Sequence, residues 1–211
     1  IASAIRFSII IAIPSAVGLA VLAAPISNLL FPGRDNTDLI KMTCYGSSAV
    51  VVYSLSTVTN AVLQGINRMK TPIRNAGISL VLHTVILFVM LRYLHMGIYG
   101  VLYANILFAL FICILNARAI ARFKRYRQEV KKTFLIPMVA SAVMGAAAFG
   151  VYRAAYNIFG NLISTGISVL VAVAVYFVLL ILLKGVDAQE LRSMPGGTRL
   201  SGLARKLHLM R

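Results

Sequence analysis

The chain has 211 residues, of which 60% are hydrophobic and only 12% charged, and its mean hydropathy is +0.87. A water-facing globular domain carries about a quarter charged residues, so this composition leaves too little polar surface for one and makes lipid the main solvent. The net charge of +16, from 21 Lys+Arg against 5 Asp+Glu, is spread between apolar runs and not gathered on one polar face. That distribution argues against nucleic acid as a partner and for the positive-inside bias of membrane chains. Two cysteines, Cys44 and Cys113, stand in separate apolar runs without metal or disulfide spacing. No signal-peptide pattern opens the sequence at Ile1, which lies almost within an apolar run. The chain is therefore expected to be the C-terminal part of a longer protein.

Six uncharged runs are long enough to cross a hydrocarbon core, which takes about 17–25 helical residues. Helices satisfy every backbone group within one span, so the expected class is an all-α membrane protein of six transmembrane helices. The first, Phe7–Leu30, holds Pro14 inside it and Pro25 near its end, and a kink is expected at an interior proline. Asp35 or Asn36 is placed to cap the second helix, Thr37–Gln64, and Asp38 suits its positive end. That helix would be about 42 Å long and must tilt or protrude. Ser47, Ser54, Thr57, Asn60 and Gln64 recur along it at spacings that predict one polar face.

A short basic turn follows, punctuated by Gly65 and Pro72 and charged by Arg68, Lys70 and Arg74. The third helix, Thr71–Leu91, carries His83. The fourth, Ile98–Ala117, carries Asn105, and the short link between these two predicts an antiparallel pair. Residues 118–132 form the most basic stretch, expected as a cytoplasmic loop. The fifth and sixth helices, Phe134–Tyr152 and Leu162–Leu183, fall in the expected segment 133–183. They show small-residue ridges at Ser141/Gly145, at Ala142/Ala146/Gly150 and at Ser164/Ser168/Ala172. Small residues four apart permit close helix approach in lipid. In the basic tail, 184–211, Leu200, Leu203, Leu207 and Met210 recur at helical spacing, which fits either an interfacial helix or a solvated tail.

Charge fixes an expected orientation. With the turn around Arg68 placed inside, 17 of the 21 basic residues fall on the cytoplasmic side, and only Arg34, Lys41, Arg92 and Arg153 lie outside. Both ends of this chain are then cytoplasmic. Apart from Asp38 at the start of the second helix, no Asp or Glu stands within a predicted span, and no nucleophile constellation, phosphate-cradling loop or metal cluster is present, so the reading is not an enzyme and calls for no cofactor or metal. Ser54, Thr57, Asn60, Gln64, His83 and Asn105 are the candidates for a substrate cavity. For the second-helix residues the alternative is interhelical hydrogen bonding, and for His83 it is a packing histidine or a proton relay. Arg68, Lys70 and Arg74 read as topology anchors or as contacts for an anionic headgroup at the inner leaflet.

The wording Val62-Leu63-Gln64-Gly65-Ile66-Asn67-Arg68-Met69-Lys70-Thr71-Pro72-Ile73-Arg74-Asn75 resembles the loop after the tenth helix of the polysaccharide-biosynthesis and stage V sporulation protein B family. Ile13-Pro14-Ser15-Ala16-Val17-Gly18-Leu19, Ala24-Pro25-Ile26 and Leu29-Leu30-Phe31 look like that family's ninth helix, and Gln189–Gly197 looks like its C-terminal segment. The resemblance implies the MATE-like multidrug/oligosaccharidyl-lipid/polysaccharide flippase superfamily. It further implies a fourteen-helix, two-lobe transporter in a bacterial plasma membrane with both termini cytoplasmic. This chain would supply helices nine to fourteen: residues 1–117 as the last four helices of the second lobe, then the extra pair. The implied partners are the bilayer, an undecaprenyl-linked sugar or peptidoglycan precursor for wall or spore-cortex synthesis, and the absent N-terminal lobe of the same protein. The alternatives are a drug or cation efflux carrier on the same fold and a non-transporting scaffold in envelope assembly.

Overall fold

The computed structural model describes residues 2–124 and 131–183, and among these every regular element is helical. Five helices are long and apolar enough to cross a membrane. The chain divides into two compact units, Ile1–Gln128 and Glu129–Arg211. The basic stretch between residues 125 and 130 and the whole tail from 184 onward, including its interfacial-helix pattern, lie outside the described residues.

In the first unit, α1 (Ala2–Val21) begins five residues before the expected start and runs unbroken through Pro14. The interruption comes instead at Leu22, before the short α2 (Ala23–Leu30). Pro25 explains the place: it has no N–H for the carbonyl of Val21, and its ring crowds that carbonyl four residues back. Asn36 then ties off α2. Its Nδ2 donates to the carbonyl of Phe31 at 2.8 Å and to Asn28 Oδ1 at 3.1 Å. Capping of α3 (Thr37–Gly65) falls to Asp35, whose Oδ1 accepts from the Thr37 hydroxyl at 2.7 Å and the Thr37 N–H at 3.0 Å. Those two hydrogen bonds, the hydroxyl's first, hold the Asp35 carboxyl below its usual range.

The turn into α4 (Lys70–Arg92) is built by Asn67 and not by Gly65, which stays helical. Asn67 adopts a left-handed φ of 60°. The Arg68 N–H bonds the Leu63 carbonyl and the Asn67 N–H the Gln64 carbonyl, both at 2.9 Å. This paired pattern closes a helix C-terminus, and asparagine is one of the few side-chain-bearing residues that tolerate that φ. Pro72 sits in the first turn of α4, where a missing N–H costs nothing. The fourth long helix, α5 (Gly97–Lys124), runs seven residues beyond its expected end and carries Arg118 and Arg122. The basic stretch therefore begins on a helix and not in a loop.

Contacts give the lateral order α1, α3, α5, α4, with α3 flanked by α1 and α5 and only a slight contact between α3 and α4. α1 buries Ile5, Ile9, Ile10, Ala12, Ile13 and Ala16. Near the basic turn, Val62, Leu63 and Ile120 form a buried cluster with Val58, Ile66 and Ala119 against it. α4 shows a largely exposed apolar surface that includes Val81, Val85 and Phe88.

The second unit has a π-helical turn, Lys131–Leu135, leading into α6 (Ile136–Leu182). α6 is interrupted at Gly160, with φ 70° and ψ −177°, into two limbs, 136–159 and 161–182, each of about spanning length. The Tyr152 hydroxyl donates to Asn161 Oδ1 at 2.9 Å around the break. Extending that pairing in antiparallel register sets Ala148 beside Thr165, Gly145 beside Ser168, Ser141 beside Ala172 and Pro137 beside Tyr176. All eight are buried. We therefore read α6 as a hairpin whose limbs meet along Ser141/Gly145 and Ser164/Ser168/Ala172. The other expected ridge, Ala142/Ala146/Gly150, is exposed, so small size alone did not identify the packing face. Gly160 sits in backbone space that only glycine enters easily. Gly160→Ala is expected to cost about 1–2 kcal/mol, read by unfolding of the purified protein in detergent, although open space surrounds a Cβ at that position.

Candidate functional site

The polar residues of α3 do not form one stripe with one role. Because α3 lies between α1 and α5, the helix surface is divided among its neighbours. Ser54 turns to α1, where its hydroxyl and that of Ser8 lie 2.6 Å apart. Ser47 is buried and bonds the Cys44 carbonyl of its own helix at 2.7 Å. Asn60 turns to α5. Thr57 and Gln64 remain exposed, together with Tyr53, which the polar-residue spacing had left aside.

Asn60 belongs to a buried clamp that joins three helices. Asn116 on α5 is fully inaccessible (0%) and is its hub. Its Nδ2 donates to Asn60 Oδ1 at 2.6 Å and Thr59 Oγ1 at 3.2 Å on α3, while its Oδ1 accepts from Asn75 Nδ2 on α4 at 2.9 Å. Thr59 in turn donates to a carbonyl of its own helix, that of Leu55 at 2.8 Å or Ser56 at 3.0 Å. For Asn60, interhelical bonding is therefore the role the geometry supports. Sequence spacing missed Asn75 and Thr59 as its partners. They are distant in sequence from Asn116, and only the α3–α5–α4 order brings them together.

The open part of the surface is more suggestive of binding. Tyr53, Thr57 and Gln64 recur at offsets of four and seven along α3, so they share one face. The Tyr53 hydroxyl reaches the backbone carbonyl of Asn105 on α5 at 3.4 Å, and the Asn105 side chain is exposed there. Thr57 satisfies its hydroxyl on the Tyr53 carbonyl at 2.9 Å. Tyr53, Thr57, Gln64 and Asn105 thus form an accessible polar face between α3 and α5 in spans that are apolar overall. It offers amide and hydroxyl donors and acceptors and no charge, which suits sugar hydroxyls or a neutral polar surface. Arg68, Lys70 and Arg74 are exposed at its basic-turn end.

His83 lies apart from this face. It is half-buried on α4 and meets the Phe108 ring of α5 edge-on, with centroids 5.4 Å apart. Cys44 and Cys113 are free thiols. No group of three or more metal-ligating side chains occurs among the described residues. No family model, curated protein or solved structure matches this chain.

Proposed function

We propose that this chain is the C-terminal part of an alternating-access flippase for a polyprenyl-linked sugar or peptidoglycan precursor. In this reading the polar face of Tyr53, Thr57, Gln64 and Asn105 is one wall of the substrate path. The observation that carries it is the exposure of those side chains on spans that are apolar overall. Exposed amides and hydroxyls facing hydrocarbon are costly, so such a face belongs against water, substrate or a second protein lobe. The resemblance of residues 62–75 to the sporulation protein B family supports the same assignment, and the charge distribution supports a cytoplasmic basic turn. The sugar headgroup would cross along the polar face while the lipid tail stays in the bilayer. Arg68, Lys70 and Arg74 would meet the diphosphate as it enters from the inner leaflet.

The test is translocation of a fluorescent undecaprenyl-diphosphate sugar by the intact protein in sealed vesicles. Wild type is expected to move it. Gln64→Ala and Thr57→Val are expected to slow it about 10-fold each, the effect of losing one hydrogen bond worth about 1.4 kcal/mol. An inserted, folded protein that moves no lipid-linked sugar would overturn the proposal.

A further inference from the structure

The α4–α5 seam holds a second polar line, separate from the proposed substrate wall. Asn75, Ser79 and His83 recur every fourth residue on α4 and so share one face. Two contacts fix its register against α5: Asn75 bonds Asn116, and the His83 ring meets that of Phe108. Going from one contact to the other covers the same length of chain on both helices, in opposite directions. Ser79 therefore falls opposite Ile112, which is buried and can neither donate nor accept from its side chain. Ser79 is itself wholly inaccessible (0%), and its hydroxyl has no hydrogen-bond partner. The Nε2 of His83, one turn further on, is also buried and unpartnered.

Two unsatisfied polar atoms one turn apart in an apolar seam are unusual, because each forfeits its hydration without return. A water touching both would satisfy them, and such a site needs two or more polar partners of the kind supplied here. Imidazole adds a specific chemistry. Nε2 of the neutral ring can take a proton from water, leaving hydroxide to the bulk, and return it later to regenerate the neutral ring. The charged side chains of the three neighbouring helices stand toward their ends: Lys70, Arg74 and Arg92 on α4, Arg118 and Arg122 on α5, Asp38 and Lys41 on α3. Between those ends the other titratable side chains are Tyr99, Tyr103 and Cys113 on α5 and Cys44, Tyr45 and Tyr53 on α3. None of these is a carboxylate, so an imidazolium at His83 would carry the mobile charge itself.

We propose that Ser79 and His83 form a proton-binding site in the α4–α5 seam, and that its loading drives the transport cycle. The site stands on the helix pair alone, whereas its use in transport rests on the flippase reading. The site is tested by nitrogen NMR of histidine-labelled intact protein in lipid nanodiscs, with His83 assigned by its loss in His83→Gln. The His83 ring is expected to pass to the imidazolium pattern on acidification. Its ring N–H is expected to exchange with water about 10-fold faster in wild type than in Ser79→Ala, the effect of one water-bridged hydrogen bond. A ring that stays neutral with a protected N–H would make His83 a packing residue and overturn the site. Coupling is tested in the vesicle assay under an imposed pH gradient. Wild-type flux is expected to respond to the gradient and His83→Gln to lose that response. Retained response in His83→Gln would overturn the coupling. No flux in wild type would overturn both the coupling and the flippase reading, and the spectra would still decide the site.

Discussion

Asn116→Leu is expected to destabilise the first unit by about 2–3 kcal/mol. The substitution keeps side-chain size nearly constant, so the loss comes from hydrogen bonding and not from a cavity. It strands the Asn75 amide, which is buried, and removes the donor that Asn60 Oδ1 accepts at 2.6 Å. A stranded buried polar group costs about 1–3 kcal/mol, and the lower end applies in a bilayer because the unfolded helices also find partners. Asn75→Leu combined with Asn116→Leu should cost less than the two single changes together, since both halves of one bond are then apolar. Denaturant titration in mixed micelles measures the three variants. A single-variant effect within about 0.5 kcal/mol of wild type would show that the clamp contributes no more than an ordinary surface position.

The second large effect is expected at Leu63, which is fully buried (0%) beside Val62 and Ile120 at the base of the clamp. Leu63→Ala should cost about 2–3 kcal/mol, toward the low end of leucine truncations in water-soluble cores. Dispersion contacts are lost in either setting, but transfer of a leucine from lipid to protein gains little. Leu63 also supplies the carbonyl that the Arg68 N–H closes upon, so a loosened Leu63 should increase amide exchange across residues 66–69. Hydrogen exchange of Leu63→Ala checks this, and unchanged protection of the turn would separate the core cluster from the turn's stability.

The long helices were legible because uncharged runs of spanning length have few other uses. The second and third expected helices agree with α3 and α4 to about one residue at each end, where charge, capping residues and hydropathy change together. The other boundaries depend on effects that hydropathy does not record. Pro25 breaks the helix three residues earlier, at Leu22, while Pro14 is absorbed within α1. Arg118 and Arg122 mark an edge of the apolar run, but arginine is a good helix former and α5 continues through both. Gly65 was the obvious turn residue, yet the left-handed position went to Asn67.

The candidate site was only partly legible for a related reason. Helical spacing groups residues by face but does not say which neighbour each face meets. Once α3 lies between α1 and α5, Ser54 and Asn60 become interhelical bonds, while Thr57 and Gln64 stay open. Asn105 is exposed, and Tyr53 joins the face through its contact with the Asn105 carbonyl. His83 falls into a different seam, against Phe108. The uncharged chemistry of the open face could be anticipated from the sequence, whereas its division from the clamp required the helix order.

The central claim is that the Tyr53–Thr57–Gln64 face lines a water-accessible path while the outer face of α4 meets lipid. Thiol accessibility tests it most directly, using the intact protein with Cys44 and Cys113 replaced by serine and alanine. Thr57→Cys and Val85→Cys are introduced singly, and labelling by a charged, water-soluble maleimide is measured in open membranes. The account predicts rapid labelling at position 57, protection there by excess lipid-linked precursor, and little labelling at position 85. Equal resistance at both positions in a folded protein would contradict it.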